Sequence, residues 1–286
     1  MSSSRGAPVL VRRIDHVVVA VRDLASAMDS YQAIGFEVEP GGRHTGRGTH
    51  NAIIRFGLDY LELLSVYDAG LGEAYGGNAL ELMRFLERTP GGLIGFALAT
   101  DDNERLASQW RSPEVPLVGP IPMERVRPDG RRIGWRLLLP GGSGWCRPWP
   151  FVIQWDASDQ ERLKIETPRT HRNHVVGIAG VRVMVRSLTD TLRVYTDQLG
   201  LRLARHGATD AISNQAEFAV GASRIKLVES PASAGGEGIF QVDLEVDDLE
   251  SALAVTGATA SKAGFELPGD HTCGARVVLV EPAQAG

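Results

Sequence analysis

Cysteine is nearly absent from this chain: Cys146 and Cys273 are the only two in 286 residues. They sit far apart and share no CxxC or CxH spacing, which excludes a disulfide framework and a thiolate zinc site and makes a reducing, cytoplasmic setting the default expectation. Lysine is scarce too, with Lys164, Lys226 and Lys262 standing among a large majority of Arg; that reads as compositional bias without functional weight. No basic excess exists, since 30 Lys and Arg face 35 Asp and Glu for a net charge of -5. Phosphate-rich partners need a basic surface, so neither a nucleic acid nor an anionic membrane is an expected partner. Long hydrophobic runs are missing as well. The opening residues hold only the short apolar run Pro8–Val11, less than a secretory signal core needs, and nothing approaches the length of a membrane span. What is present is a globular balance, 43% hydrophobic and 23% charged, over a length that suits two domains.

The informative feature is internal repetition. Residues Ile14 to Leu24 read IDHVVVAVRDL, and Ile178 to Leu188 read IAGVRVMVRSL. In both, an apolar β-branched run ends in a polar turn and then a helix, with Asp23 or Ser187 as the N-cap acceptor for free backbone N–H groups. Leu24, Met28, Tyr31 and Ile34 follow at helical spacing in the first copy, and Leu188, Leu192, Tyr195 and Leu199 in the second. Gly35 and Gly200 stand where a helix ends in a left-handed residue. Beyond Gly35 come a strand, a Gly-rich turn, the strand Asn51–Phe56, a turn at Gly57 and the strand Tyr60–Val66. Beyond Gly200 the counterpart runs through Glu217–Val220, Gly221 and Arg224–Glu229. Each unit is therefore β-α-β-β-β.

Two weaker copies complete the pattern. LIGFALAT at Leu93–Thr100 precedes a helix with Leu106 and Trp110, then strands at Gly119–Val126, Arg132–Leu139 and Phe151–Trp155. IFQVDLEV at Ile239–Val246 precedes a helix from Leu249 and strands near Phe265 and Arg276–Val280, so the fourth unit reads as lacking its last strand. Gly72–Arg88 is an added helix stopped by Pro90-Gly91-Gly92. The expected class is α+β, with paired units making one domain over residues 12–156, a polar linker over 157–176, and a second, incomplete domain over 177–286.

Two residues stand out against their surroundings. His16 lies in an apolar strand, where a satisfied core histidine is the ordinary reading. Glu62, between Leu61 and Leu63, needs a partner, because an unpaired buried carboxylate costs several kcal/mol. His44 and His50 sit in a Gly-rich segment that can approach a pocket mouth as general bases or further ligands, or form a solvated hairpin with Asn51 fixing its backbone. His171 and His174 read as surface residues of the linker, and His206 and His271 as lone loop residues. Trp135, Trp145, Trp149 and Trp155 gather in the second unit with Arg136 and Arg147, either as walls for a flat or anionic substrate or as core and solvated surface. Gly141–Gly144 is a lid or a plain hairpin loop.

Paired β-α-β-β-β units with His on the first strand and Glu on the last resemble the vicinal oxygen chelate superfamily, which includes glyoxalase I, extradiol dioxygenases and bleomycin resistance proteins. The resemblance rests on IDHVVVAVRDL, GGRHTGRGTHNAIIRF at Gly41–Phe56, YLELLSV at Tyr60–Val66 and PFVIQWD at Pro150–Asp156, and within the superfamily the first half is similar to the glyoxalase-like group. It implies mixed sheets curled into cups, with metal ligands from the first and last strands of both units. Those positions are His16 and Glu62 in unit one, and Phe96 and Gln154 in unit two; Phe96 cannot ligate and Gln154 is a weak oxygen donor. In the second half they are Gly180, Lys226 and Gln241, where a lysine would repel a cation. The implied cofactor is a divalent Zn, Ni, Mn or Fe ion held by His16, Glu62 and Gln154. Glu62, His44 and His50 are the candidate catalytic residues, and the partner is a small oxygenated substrate. The implied activity is lyase or isomerase chemistry through metal-bound vicinal oxygens; the alternatives are ring cleavage by a dioxygenase, which needs a second His, and metal-free drug sequestration. An exposed edge at the incomplete unit allows a homodimer.

Overall fold

The computed structural model describes residues 10–210, 213–230 and 236–282. Unit one runs β1 (Val11–Val21), α1 (Leu24–Ala33), β2 (Glu39–His44), β3 (Thr49–Arg55) and β4 (Tyr60–Val66). The helices α2 (Ala69–Tyr75) and α3 (Gly77–Arg88) lead to unit two: β5 (Gly91–Thr100), α4 (Asn103–Gln109), β6 (Leu117–Val126), β7 (Arg132–Pro140) and β8 (Phe151–Trp155). A further helix, α5 (Asp159–Ile165), precedes unit three: β9 (Val175–Val185), α6 (Leu188–Arg193), β10 (Leu203–Asp210), β11 (Ser213–Val220) and β12 (Ser223–Glu229). Unit four is β13 (Gly238–Val246), α7 (Leu249–Thr256), β14 (Thr259–Ser261), β15 (Gly264–Glu266) and β16 (Val277–Val280). The α+β class and the four β-α-β-β-β units are those expected.

The helix signals act as read. Asp23 accepts from the Ser26 amide at 2.7 Å, and Ser187 from the Asp190 amide at 3.3 Å. Gly35 takes a φ of 87° after α1, a conformation in which a Cβ would meet Asn173 and Val255 at 3.0 Å or less. Tyr31 and Ile34 are buried, and Leu24 and Met28 pack against the same core. Two expectations are corrected. The single helix over Gly72–Arg88 is a pair, α2 and α3, broken at Gly76 and Gly77, which both take positive φ. The fourth unit carries all three of its later strands: β16 is the last, parallel to β13, and the strand overlooked in the sequence is the three-residue β14, too short to display a period.

The first eight strands close into a barrel in the order β1-β4-β3-β2-β6-β7-β8-β5, and the other eight form an open sheet in the order β10-β11-β12-β9-β13-β16-β15-β14. In both halves the first strands of the paired units lie antiparallel, β1 against β5 and β9 against β13. Within each unit the last strand runs parallel to the first, as β4 with β1. His44 pairs with Arg125 where β2 meets β6, closing the barrel between units. Alternate residues of β1 and β5 then divide between two environments. Val17, Val19, Phe96 and Leu98 face the outer core under the helices, whereas Val18, Ala20, Ile94 and Ala97 face the barrel interior.

The segment read as a polar linker is part of this packing. Arg162, Glu166, His171 and Asn173 are all buried. His171 accepts from the Glu37 amide at 3.0 Å and lies 3.1 Å from the Arg55 carbonyl, so the surface reading of His171 is corrected; the more open His174 lies 3.1 Å from Asp247. Their burial comes from tertiary partners that a local polarity count does not contain. No helix among the described residues is long and apolar enough to cross a membrane.

Candidate active site

Inside the barrel is a cavity of about 350 Å³. Its polar end is built on β1, β3 and β4, where His16, Thr49, Asn51, Tyr60 and Glu62 all turn inward. A shift in the β1–β5 register between Ile14 and His16 lets the consecutive side chains of Asp15 and His16 meet, with Oδ1 2.9 Å from Nδ1. Burial alone would raise the pKa of the Asp15 carboxyl. The charge of Arg162, the hydrogen bond from His16 and the charge of Arg13 outweigh it and hold Asp15 well below the usual carboxylate range. An ionised carboxylate only accepts, so the imidazole hydrogen is on Nδ1 and Nε2 faces the cavity. The ring is clamped by stacking on Tyr60, centroids 4.7 Å apart, and by the edge of Phe151 at 5.4 Å.

His16 Nε2 lies 3.5 Å from Glu62 Oε2. The other carboxylate oxygen accepts from Asn51 Nδ2 at 2.7 Å, and Asn51 Oδ1 in turn accepts from Arg125 at 3.3 Å. Arg125 is fixed by its ion pair with Glu166. His44 approaches from β2, its Nε2 3.9 Å from Glu62 Oε1 and its Nδ1 2.9 Å from Thr49 Oγ1. Burial pushes the His44 pKa down to about 4; Glu62 pulls it up, and Arg125 and Arg47 add to the lowering. His44 is therefore neutral near pH 7.

The rest of the cavity is mostly apolar, with Arg47, Arg125 and Asn78 as the polar exceptions. Trp135, Trp145, Trp155, Phe151, Ile121 and Met123 form its walls, and α2 and α3 contribute Tyr75, Ala79 and Leu82. Gly142 of the Gly141–Gly144 loop also lines it. That loop is tied to α3, with Ser143 bonded to Glu81 and Trp145 Nε1 donating to the Asn78 carbonyl at 2.9 Å.

Of the expected residues, His16, Glu62 and His44 come together, and two do not join them. Gln154 points outward: its Oε1 accepts from the Asn103 amide and its Nε2 donates to the Asp101 carbonyl, both at 2.9 Å. The parallel registers supply the reason. His16 stands opposite Tyr60 and Val18 opposite Glu62 on β1 and β4; Ala97 stands opposite Phe151 and Ala99 opposite Ile153 on β5 and β8. The unit-two counterparts of His16 and Glu62 are thus Ala97 and Ile153, one residue away from Phe96 and Gln154, and a one-residue slip exchanges the two faces of a strand. His50 is the other departure. It alternates away from Thr49 and Asn51, packs near Tyr67 at 5.6 Å, and is absent from the cavity wall. In the second sheet Lys226 does occupy the Glu62 position, beside Arg182, while Asp243 rather than Gln241 faces Gly180.

Among the tryptophans, Trp149 does not line the cavity but donates to the Pro140 carbonyl at 2.8 Å. Arg136 lies 3.6 Å from Asp156 and Arg147 3.4 Å from Glu81, both outside the wall. The residues missed in the sequence are Asp15, Asn51 as a side-chain donor, Arg125 and Arg47. Asp15 carried a signal, an acidic residue next to His in an apolar run; Arg125 carried none, because its partner Glu166 is distant in sequence. Among the described residues no group of three or more His, Cys, Asp and Glu is placed to hold a metal ion. The donor pair His16 Nε2 and Glu62 Oε2 nevertheless has the separation that two ligands of one ion adopt with bonds of about 2.0–2.2 Å, and His44 stands on the opposite carboxylate oxygen.

Residues 14–199 match the model of a family described as glyoxalase-like domain. No curated protein matches the sequence significantly. Among solved structures, a hypothetical protein from Staphylococcus aureus is similar at 19% identity and a TM-score of 0.69, covering 94% of this chain and 98% of its own. A Mn(II)-bound glyoxalase from Novosphingobium aromaticivorans is similar at 13% identity and a TM-score of 0.57, covering 96% and 83%. The 2,3-dioxygenase LapB from a Pseudomonas species is similar at 12% identity and a TM-score of 0.57, covering 96% and 93%. At these identities the likeness concerns the fold.

Proposed function

We propose that this chain, which belongs to the glyoxalase-like domain family, acts on a small oxygenated organic molecule in the barrel cavity, in lyase or isomerase chemistry centred on His16 and Glu62. The observation that carries the reading is the 3.5 Å approach of His16 Nε2 to Glu62 Oε2. With the Nδ1 hydrogen committed to Asp15, Nε2 is the ring nitrogen turned to Glu62, at a separation that suits two ligands of one divalent cation. Such an ion, when bound, would supply Lewis-acid polarisation of neighbouring substrate oxygens.

The chain's own residues do the remaining work. Asp15 and Tyr60 fix the His16 ring, Asn51 fixes the Glu62 carboxylate, and the indole walls exclude water from the bound molecule. Neutral His44 lines the cavity beside Glu62 and can hydrogen-bond the bound molecule. Because Ala97 and Ile153 offer no donor, this chain would hold such an ion through His16 and Glu62 alone. The same two apolar positions favour the second reading, a protein that binds a small molecule without acting on it.

Mn²⁺-loaded protein separates the two by water-proton relaxation. Acetohydroxamate, a chelator with adjacent oxygens, is expected to displace bound water and lower the relaxation enhancement, and Glu62→Gln to abolish the effect. Failure to retain Mn²⁺, or an enhancement unchanged by the chelator, overturns the catalytic reading and leaves the binding one.

A further inference from the structure

Arg47 is the unusual cation of the cavity. It sits in the turn between β2 and β3, flanked by Gly46 and Gly48, both at φ near 70°, and it contributes to the cavity wall. Its guanidinium carbon lies 3.6 Å from the centre of the Tyr75 ring, and Nη2 donates to the Pro122 carbonyl at 3.3 Å. Nη1 is buried and without a hydrogen-bond partner. Among the described residues no carboxylate pairs with Arg47. Arg125, the other arginine of the wall, is already committed to Glu166 and Asn51. Arg47 is thus a cation without a counter-ion in the cavity wall, and an incoming anion would neutralise it.

We infer that Arg47 is a specificity residue that receives a carboxylate of the substrate, whose apolar or aromatic body lies among Trp135, Trp145 and Trp155. The inference rests on the reading of the cavity as a small-molecule site and does not depend on the ion. A monoanion suits the wall better than a phosphate. The wall holds a single uncommitted cation, it also carries the carboxylate of Glu62, and its other surfaces offer a dianion little. Arg47 is held by the ring of Tyr75 and by a carbonyl, neither of which neutralises it, so its charge is free for a ligand.

Quenching of tryptophan fluorescence reads binding directly, because three indoles line the cavity. The probes are phenylacetate and indole-3-acetate, their matching amides, and phenyl phosphate. Each carboxylate is expected to bind at least about tenfold more tightly than its amide. Arg47→Gln should reduce that ratio to near one without weakening the amides, and Arg47→Lys should keep part of it. Equal binding of carboxylate and amide by the unaltered protein, no carboxylate binding, a ratio unchanged in Arg47→Gln, or tighter binding of phenyl phosphate would each overturn the inference. Loss of metal retention with the carboxylate preference intact would remove the catalytic reading alone.

Discussion

Asp15 and His16 are neighbours in the chain whose side chains also meet, Oδ1 to Nδ1 at 2.9 Å, inside a closed barrel. An alternating strand would send them to opposite faces; the register shift at this point brings them together. The contact links the cavity to the buried charges beneath it, since Asp15 also pairs with Arg13 at 2.9 Å and Arg162 at 3.2 Å. Arg162 in turn lies over the Trp155 ring, 3.9 Å from its centre.

Asp15→Asn should therefore destabilise the fold by about 3–5 kcal/mol, because it removes the buried charge that hydrogen-bonds Arg162 and leaves that guanidinium only the longer pair with Glu166. Urea denaturation at neutral pH measures this. The sign with pH follows from the depressed carboxyl. The Asp15 contribution is fully present above the ordinary aspartate range and declines as pH falls below it toward the folded value. Unaltered protein should lose stability more steeply than Asp15→Asn on acidification below about pH 4.

His44 titrates in the other accessible window. Its folded pKa of about 4 lies below the ordinary 6.5, so the unfolded chain binds the proton first. Its contribution is complete above about pH 6.5 and shrinks as pH falls toward 4, on the order of 3 kcal/mol in all. In metal-free protein the His44 Cε1–H resonance should titrate far below pH 6. In His44→Gln, the slope of stability against pH over this window should flatten.

Gln154→Ala should remove two hydrogen bonds, one to Asn103 of α4 and one to Asp101 before it, and cost about 1–2 kcal/mol while leaving divalent-ion affinity unchanged. Isothermal titration with Mn²⁺ beside a denaturation curve checks both. A large loss of ion affinity would place Gln154 in the cavity and undo the register assignment.

Much of this was legible in the sequence, and the parts that were not share a cause. Asp23 with Leu24, and Ser187 with Leu188, announce the same strand-to-helix turn twice, so the repeat and the pairing of units could be read from local signals. His16 and Glu62 were legible because polar groups stood out in apolar strands. Phe96 was misplaced because LIGFALAT is apolar at nearly every position, and Gln154 because the run Phe151–Ile153 before it is apolar throughout. A strand covered on both sides carries no alternation to fix which residues face inward. Arg162 and Glu166 looked like a solvated linker because the carboxylates and guanidiniums that bury them lie far away in the chain. Arg47 was hidden in a Gly-rich turn, where spacing says nothing about which way a side chain points.

On the proposed function, His16 and Glu62 together hold a divalent ion at the polar end of the cavity. Titration calorimetry of chelator-treated protein with Mn²⁺ and Zn²⁺, on unaltered protein, His16→Ala and Glu62→Gln, tests it most directly. The unaltered protein is expected to take up one ion per chain, with affinity at least about a hundredfold lower in each variant while near-UV circular dichroism stays unchanged. Equal and weak binding by all three folded proteins would contradict it.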